Sequence, residues 1–303
     1  MHNKTRKGHK DQWQLFAMML PAIIVVFTFS YIPMYGVTIA FKDVRVGQGL
    51  LEGTWVGFNH FQRLFKSPMF WEIMRNTLII TLVKNFVLLP LPIIFALMVH
   101  NSNSKRIRKF SQTISYLPHM ISMVVIIYII NLFCDTDSGL INFLLEKVMG
   151  MDALNMLEET GFYYPIYFIS DIWATLGSSA VIYIAALSGV DEQLLEAAMV
   201  DGASKLQRIW HIELPTIRPT IVILLIMHMG NILKVGYEKS LLLQNDLNLE
   251  VSETIATYVY KTGLVSSQYG FSSAVNLFQN LVGLLLVVVC NYIAKKYTDS
   301  SLF

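Results

Sequence analysis

Residues 191–220 read DEQLLEAAMVDGASKLQRIWHIELPTIRPT. Asp191 is placed to cap a short helix that carries Leu194, Leu195, Ala198 and Met199 on one side, because a short acceptor side chain satisfies the free amides of a helix start. Gly202 is placed to stop that helix, glycine being the residue that enters the left-handed conformation at low cost. Ser204 followed three residues later by Gln207 is a capping-box pattern. A second short helix is therefore expected to open there and to end at Pro215. Two short amphipathic helices bent at a glycine form a compact knob, and the small Ala197, Ala198, Gly202 and Ala203 leave room for a partner to approach closely.

The knob interrupts a chain that is otherwise strongly apolar. Of its 303 residues 54% are hydrophobic and only 15% charged, which excludes an ordinary soluble domain. A bilayer-spanning helix needs roughly 20 mostly apolar residues, and six stretches approach that length. They run at about 13 to 41, with a kink expected at Pro33, at about 76 to 100, 112 to 133, 164 to 187, 219 to 243 and 273 to 294. The fold class is an all-α integral membrane protein with six transmembrane helices. Its layout is a cytoplasmic tail 1–12, a first span 13–41, an extracellular loop 42–73, a core 74–294 and a cytoplasmic tail 295–303. The N-terminal segment has no small-residue cleavage site before the first apolar run and is expected to be retained. Cys134 and Cys290 fit neither a disulfide framework nor a metal-ligand spacing.

Orientation follows from Lys and Arg, which accumulate in cytoplasmic loops. Lys4, Arg6, Lys7, Lys10, Lys105, Arg106, Arg108, Lys109, Lys205, Arg208, Arg218, Lys295 and Lys296 make thirteen on one side. Lys42, Arg45, Arg63, Lys66, Lys147 and Lys261 make six on the other, where 135–163 carries six acids against its one lysine. Both termini and the knob are thus expected on the cytoplasmic side of a plasma membrane. Cys134 and Cys290 then fall at opposite membrane faces, too far apart for a disulfide. The net charge of +2 is spread over short clusters and gives no surface for nucleic acid.

The knob carries a specific spacing. Glu196-Ala197-Ala198, three residues ending in Asp201, Gly202, nine residues beginning with Ala203, Ile212, one residue, then Leu214-Pro215 matches E-A-A-x3-G-x9-I-x-L-P in full. This resembles the EAA loop of binding-protein-dependent ABC importer permeases. Further segments resemble the polysaccharide and aldouronate type of sugar permease in that family: Tyr31-Ile-Pro-Met-Tyr-Gly36, Ala40-Phe-Lys-Asp43, Tyr116-Leu-Pro-His119, Ser170-Asp-Ile-Trp173, 218–225 and 241–245. The resemblance implies a type I importer permease fold, with coupling helices between the fourth and fifth spans that dock into a cytoplasmic ATPase. It implies a dimer of ATPases holding ATP and magnesium, a second, distinct permease, an extracellular solute-binding lipoprotein and an oligosaccharide substrate. No Gly-Lys dipeptide occurs, so the chain has no phosphate-cradling G-x-x-x-x-G-K-[ST] loop, and no cofactor of its own is expected.

Charges at bilayer depth are costly, so they face a bundle interior or water. Lys84 either faces a cavity or pairs with a neighbouring helix, and Asp171 either forms a structural pair or meets substrate. Lys234 and Glu238, four residues apart, either pair across one helical turn or line a path where Gly230 and Gly236 weaken the helix. Trp173, Tyr183, Tyr237, Asn231 and Asn280 offer the aromatic faces and hydrogen-bonding groups that hold sugars, against the alternative that Trp and Tyr are interfacial anchors. His119 and His228 read as interhelical hydrogen-bonding groups. The competing functions are a permease for a non-sugar solute and an ion-driven secondary transporter, the latter disfavoured because it needs no ATPase dock. A membrane enzyme is excluded for want of a carboxylate pair, histidine cluster or activated nucleophile at usable spacing.

Overall fold

The computed structural model of the chain describes residues 7–44, 47–49, 52–298 and Leu302, the first six of these by backbone alone. Lys4, Arg6 and Arg45, counted above for orientation, lie outside the described residues. The chain divides into two compact units, one of residues 1–66 with 261–277, the other of 67–260 with 278–303.

In the first unit a helical run covers Trp13–Phe41. It changes from α to π geometry at Phe27–Tyr31 and to a 3-10 helix at Ile32–Phe41, so the irregularity expected at Pro33 begins before it. Every side chain from Trp13 to Tyr35 is exposed, including the large apolar ones. A helix this apolar with no buried face has lipid or a partner helix as its surroundings. Past it, Lys42 and Asp43 pair antiparallel with Trp55 and Thr54, and Phe41 stacks on Trp55 at 5.6 Å.

The second unit holds four long apolar helices or parts of them. Phe70–His100, Thr160–Leu187 and Lys205–Met229 lie wholly within it, and Tyr269–Thr298 enters it at Phe278. A further pair, Lys105–Met120 and Met123–Cys134, meets at a bend of 97°. Five long apolar helices are therefore present among the described residues, and six if the bent pair crosses as one.

The expected straight span at 112 to 133 is corrected by that bend. Pro118 sits in a 3-10 turn, Leu117–Met120, and the Ser122 hydroxyl accepts from the Val125 amide to start a new helix. Leu117, the residue before the proline, stays helical, and the chain stops three residues beyond Pro118, at the extended Ile121 and Ser122, before it restarts. The expected span at 219 to 243 is corrected as well. Its helix ends at Met229, residues 230–236 turn, and Tyr237–Leu243 forms a separate short helix. Pro215 does not end a helix: residues 205–229 remain helical throughout. A π turn at Ile209–Glu213 precedes the proline, which stands in the first turn of the following α segment, where its missing N–H and ring are accommodated.

Packing in this unit rests on small residues and buried polar groups, as expected where lipid and side chains are equally apolar. Ile93, Ala96, Leu97, Ala180, Tyr183, Leu187, Val190 and Ile217 form one core cluster, with Ala96 and Ala180 fully buried. Gly177 has no room for a side chain, since a Cβ there would overlap the Ser115 carbonyl, and a Cβ on Gly283 would overlap the Gly230 carbonyl. The folded loop after Leu243 is pinned by Asn76, whose Nδ2 donates to the Glu250 and Glu253 carbonyls at 2.8 and 3.0 Å.

Candidate functional site

The 191–215 segment folds as its capping residues direct. Asp191 Oδ1 accepts from the Gln193 amide at 2.9 Å and opens the helix Glu192–Val200. Gly202 has φ +81° and an open surround. Ser204 and Gln207 close a reciprocal capping box, with Ser204 N donating to Gln207 Oε1 at 2.7 Å.

Glu196, Ala197, Asp201 and Gly202 are exposed, whereas Ala198 and Ala203 are half-buried in a crevice between the two short helices that also involves Ile212. The Ala203 amide donates to the Ala198 carbonyl at 2.9 Å. Their small size lets the two helices close on each other. Leu194, Met199, Val200, Leu206 and Trp210 remain exposed on the segment, Val200 at 88%, and Leu206 and Trp210 border an apolar hollow with Ile94, Met98 and Ile221. Of these, Val200, Leu206 and Trp210 were not singled out from sequence.

The inner side of the segment is anchored. Leu195, Ile212 and Leu214 pack on the core cluster of Ile93, Leu97 and Ile217. Glu213 is 1% exposed and its Oε2 accepts from Asn101 Nδ2 at 2.7 Å, tying the segment to the end of the helix Phe70–His100. From Lys205 the chain is continuously helical for 25 residues. At about 1.5 Å per residue that is a strut of about 37 Å.

The strut ends beside a cavity of about 210 Å³ lined on its polar side by Lys84, Asn85, Asp171, Thr175, Ser179, Tyr183 and His228, and elsewhere by Leu88, Leu89, Pro92, Ile182 and Leu224. Lys84 and Asn85 come from a π turn, Val83–Leu88, inside the helix Phe70–His100. Such turns are rare and recur at functional positions, because the extra residue breaks the regular backbone ladder. Asp171 stands between two lysines: Oδ2 lies 3.1 Å from Lys84 Nζ, and Oδ1 lies 3.3 Å from Lys239 Nζ. Lys239 also donates to the Tyr167 carbonyl at 2.7 Å and sits 4.3 Å from the Tyr167 ring centroid. Side-chain exposure separates the two cations, at 4% for Lys239 and 39% for Lys84. His228 bridges helices through Asn85, its Nδ1 lying 3.0 Å from Asn85 Oδ1. His119 is exposed and has no such partner among the described residues.

Of the nine residues expected on a solute path, the cavity gathers Lys84, Asp171 and Tyr183. Trp173, Asn231, Lys234, Tyr237, Glu238 and Asn280 do not line it and are exposed. Lys234 and Glu238 form no ion pair among the described residues, because the break at 230–236 takes them off a common helix. Tyr237 stacks on Tyr260 at 5.2 Å. The neighbour of Asn280, Gln279, is the inward one: its Nε2 donates to the Leu233 carbonyl at 2.6 Å. Lys239 and Gln279 were missed because nothing local distinguishes a buried lysine or glutamine from the exposed one beside it.

Residues 89–299 match the family described as binding-protein-dependent transport system inner membrane component. The chain is 40% identical over 293 residues to the polygalacturonan/rhamnogalacturonan transport system permease protein YteP of Bacillus subtilis (strain 168), covering 97% of this chain and 91% of that one. It is 36% identical over 294 residues to protein LplB of the same organism, covering 97% and 92%. A crystal structure of a bacterial alginate ABC transporter in complex with alginate pentasaccharide-bound periplasmic protein contains a chain that superposes with a TM-score of 0.88 at 36% identity, covering 99% of this chain and 100% of that one.

Proposed function

The chain belongs to the family of binding-protein-dependent transport system inner membrane components, and from that premise we propose that it forms half of the membrane channel of an ATP-driven importer for acidic oligosaccharides. The observation that carries this reading is the strut Lys205–Met229. At one end it bears a capped knob with bare apolar side chains, and at the other it borders a cavity that holds the charged pair Lys84 and Asp171. Movement of a partner seated on the knob is transmitted along a rigid helix to the cavity wall.

In this reading Glu196, Ala197, Ala198, Asp201, Gly202, Ala203, Ile212, Leu214 and Pro215 form the coupling element, seated on an ATPase dimer that holds the ATP and magnesium. The bent pair Lys105–Met120 and Met123–Cys134 counts as one of six spans, and both termini with the knob are cytoplasmic. Half a channel cannot enclose a bulky polar solute, because backbone cannot be left open to lipid. A second, distinct permease completes the wall, and a solute-binding lipoprotein delivers the oligosaccharide from outside. The substrate class rests on the relatives: polygalacturonan in one name and alginate in the solved complex are both polymers of sugar acids.

The test is made on the assembled importer purified in mild detergent. Val200→Asp with Leu206→Asp is expected to leave the chain in the membrane with its partner permease but to release the ATPase subunits and abolish uptake. An importer that keeps its ATPase and its transport rate with both changes would refute the docking role.

A further inference from the structure

Asp171 has more positive charge around it than it can neutralise. Lys239 alone is a sufficient partner: both groups are buried, at 4% and 9% side-chain exposure, and the lysine's remaining donors are met by the Tyr167 carbonyl and ring. A buried carboxylate and a buried ammonium at hydrogen-bonding distance cancel each other. Lys84 approaches the same carboxylate at 3.1 Å but brings a second unit charge, so the cluster of three carries a net charge of +1. That surplus belongs to the exposed member, whose side chain is 39% accessible and lines the cavity.

The position of this surplus is costly. Lys84 lies near the middle of the apolar helix Phe70–His100, where insertion of a lysine costs about 3 kcal/mol, and such residues serve solute pathways or pair with a neighbour. The neighbour is already neutralised by Lys239. The remaining lining of the cavity mixes hydrogen-bonding groups, Asn85, Thr175, Ser179, Tyr183 and His228, with the apolar Leu88, Leu89, Pro92, Ile182 and Leu224, which suits the hydroxyls and the apolar ring face of a sugar. His228 Nδ1 faces Asn85 Oδ1 at 3.0 Å. One unmatched cation beside several neutral donors and acceptors is the complement of a sugar acid: one carboxylate and several hydroxyls on a single ring.

We propose that this cavity is the intramembrane subsite for one uronosyl unit of the passing chain, with the Lys84 ammonium receiving its carboxylate while Asp171 and Lys239 hold Lys84 in place. The inference rests on the reading of the protein as an importer of acidic oligosaccharides. The incoming carboxylate shares Lys84 with Asp171 and does not displace it, so the contact is reversible and the unit is released as the strut moves. A site that bound through a free, fully buried lysine would hold the acid too tightly for passage.

The experiment uses the complete importer reconstituted in vesicles, with the uptake of a galacturonate trimer compared with that of its carboxyl-reduced, uncharged counterpart. Both are supplied at concentrations that saturate the binding lipoprotein. Lys84→Met is expected to lower the maximal uptake of the acidic trimer at least tenfold and to leave that of the neutral one within twofold, with Lys84→Arg restoring the acidic rate. A Lys84→Met importer with an unchanged acid-to-neutral ratio overturns the subsite while leaving the importer reading intact. An equal fall for both trimers, unrelieved by Lys84→Arg, assigns Lys84 to structure alone and also overturns it. If the wild-type importer moves neither trimer, the substrate class itself is wrong, and the subsite falls with it.

Discussion

Removing the Asp171 charge, by Asp171→Leu, separates the two lysines by their access to water. Each lysine nitrogen lies close to a carboxylate oxygen, at 3.1 Å for Lys84 and 3.3 Å for Lys239. At an effective dielectric of about 20 each contact is worth about 5 kcal/mol before desolvation. Lys84 recovers most of its loss from cavity water, being 39% exposed, but Lys239 at 4% cannot. The cost therefore falls on Lys239 and is expected at about 3–5 kcal/mol, the usual penalty for stranding one charge of a buried pair. Asp171→Leu combined with Lys239→Met removes the stranded charge along with its partner, and is expected to return to within about 1 kcal/mol of the wild type, since apolar replacement of a whole buried pair is often neutral. The assay is a thermal melt of the detergent-purified importer, together with the amount of this chain recovered from membranes. A single variant as stable as wild type would show that Asp171 is not holding Lys239. A double variant no better than the single would show that the loss arises from packing, not from charge.

Three other outcomes are expected. Gly177→Val is expected to disrupt assembly of the importer, because any Cβ there meets the Ser115 backbone, which cannot yield as a flexible side chain would; recovery of intact complex at the wild-type level would contradict this. Gly202→Val has open space and suffers only the left-handed backbone, about 1–2 kcal/mol. The chain is therefore expected to assemble with its partner permease and to lose substrate-stimulated ATP hydrolysis, which undiminished stimulation would disprove. In a background where the free Cys134 and Cys290 are changed to serine, a cysteine at Gly150 is expected to react with an impermeant thiol reagent on intact cells, and one at Ala203 is not. The reverse labelling would invert the orientation.

What could be read before the structure was whatever depends on near neighbours. The Asp191 cap and the Ser204–Gln207 box are decided by hydrogen bonds within three residues, and both form. The first apolar run shows itself through length and composition alone, and the helix Trp13–Phe41 follows it. Pro118 and Pro215 show where such reading stops. One lies three residues ahead of a 97° bend at Ile121 and Ser122, and the other stands in a continuous helix just past a π turn, and the proline itself does not encode which. Lys239 stands beside Lys234 and Glu238, three charges within six residues. Which of three neighbouring charges turns inward depends on a carboxylate 68 residues away, and nothing local encodes it.

The break at 230–236 and the polar residues near it support one another. A helix interrupted at membrane depth leaves backbone groups that only protein or trapped water can satisfy. Here Gln279 takes the Leu233 carbonyl, and the two glycines, Gly230 and Gly283, allow the backbones to touch where a side chain would hold them apart. With its freed groups met in this way, the break is a stable feature at which the strut from the knob ends. Displacement at the knob travels along an unbroken helix and must first be absorbed where the ladder stops, one residue past Met229 and next to His228 on the cavity wall. On the proposed coupling reading, the cavity is the first part of this unit whose shape responds to the ATPase, while Asp171, paired with the buried Lys239, holds Lys84 in place on its wall. A solute held between a fixed wall and a moving one is released when the strut shifts, which is the mechanical requirement for coupling a distant ATPase to the passage of a sugar.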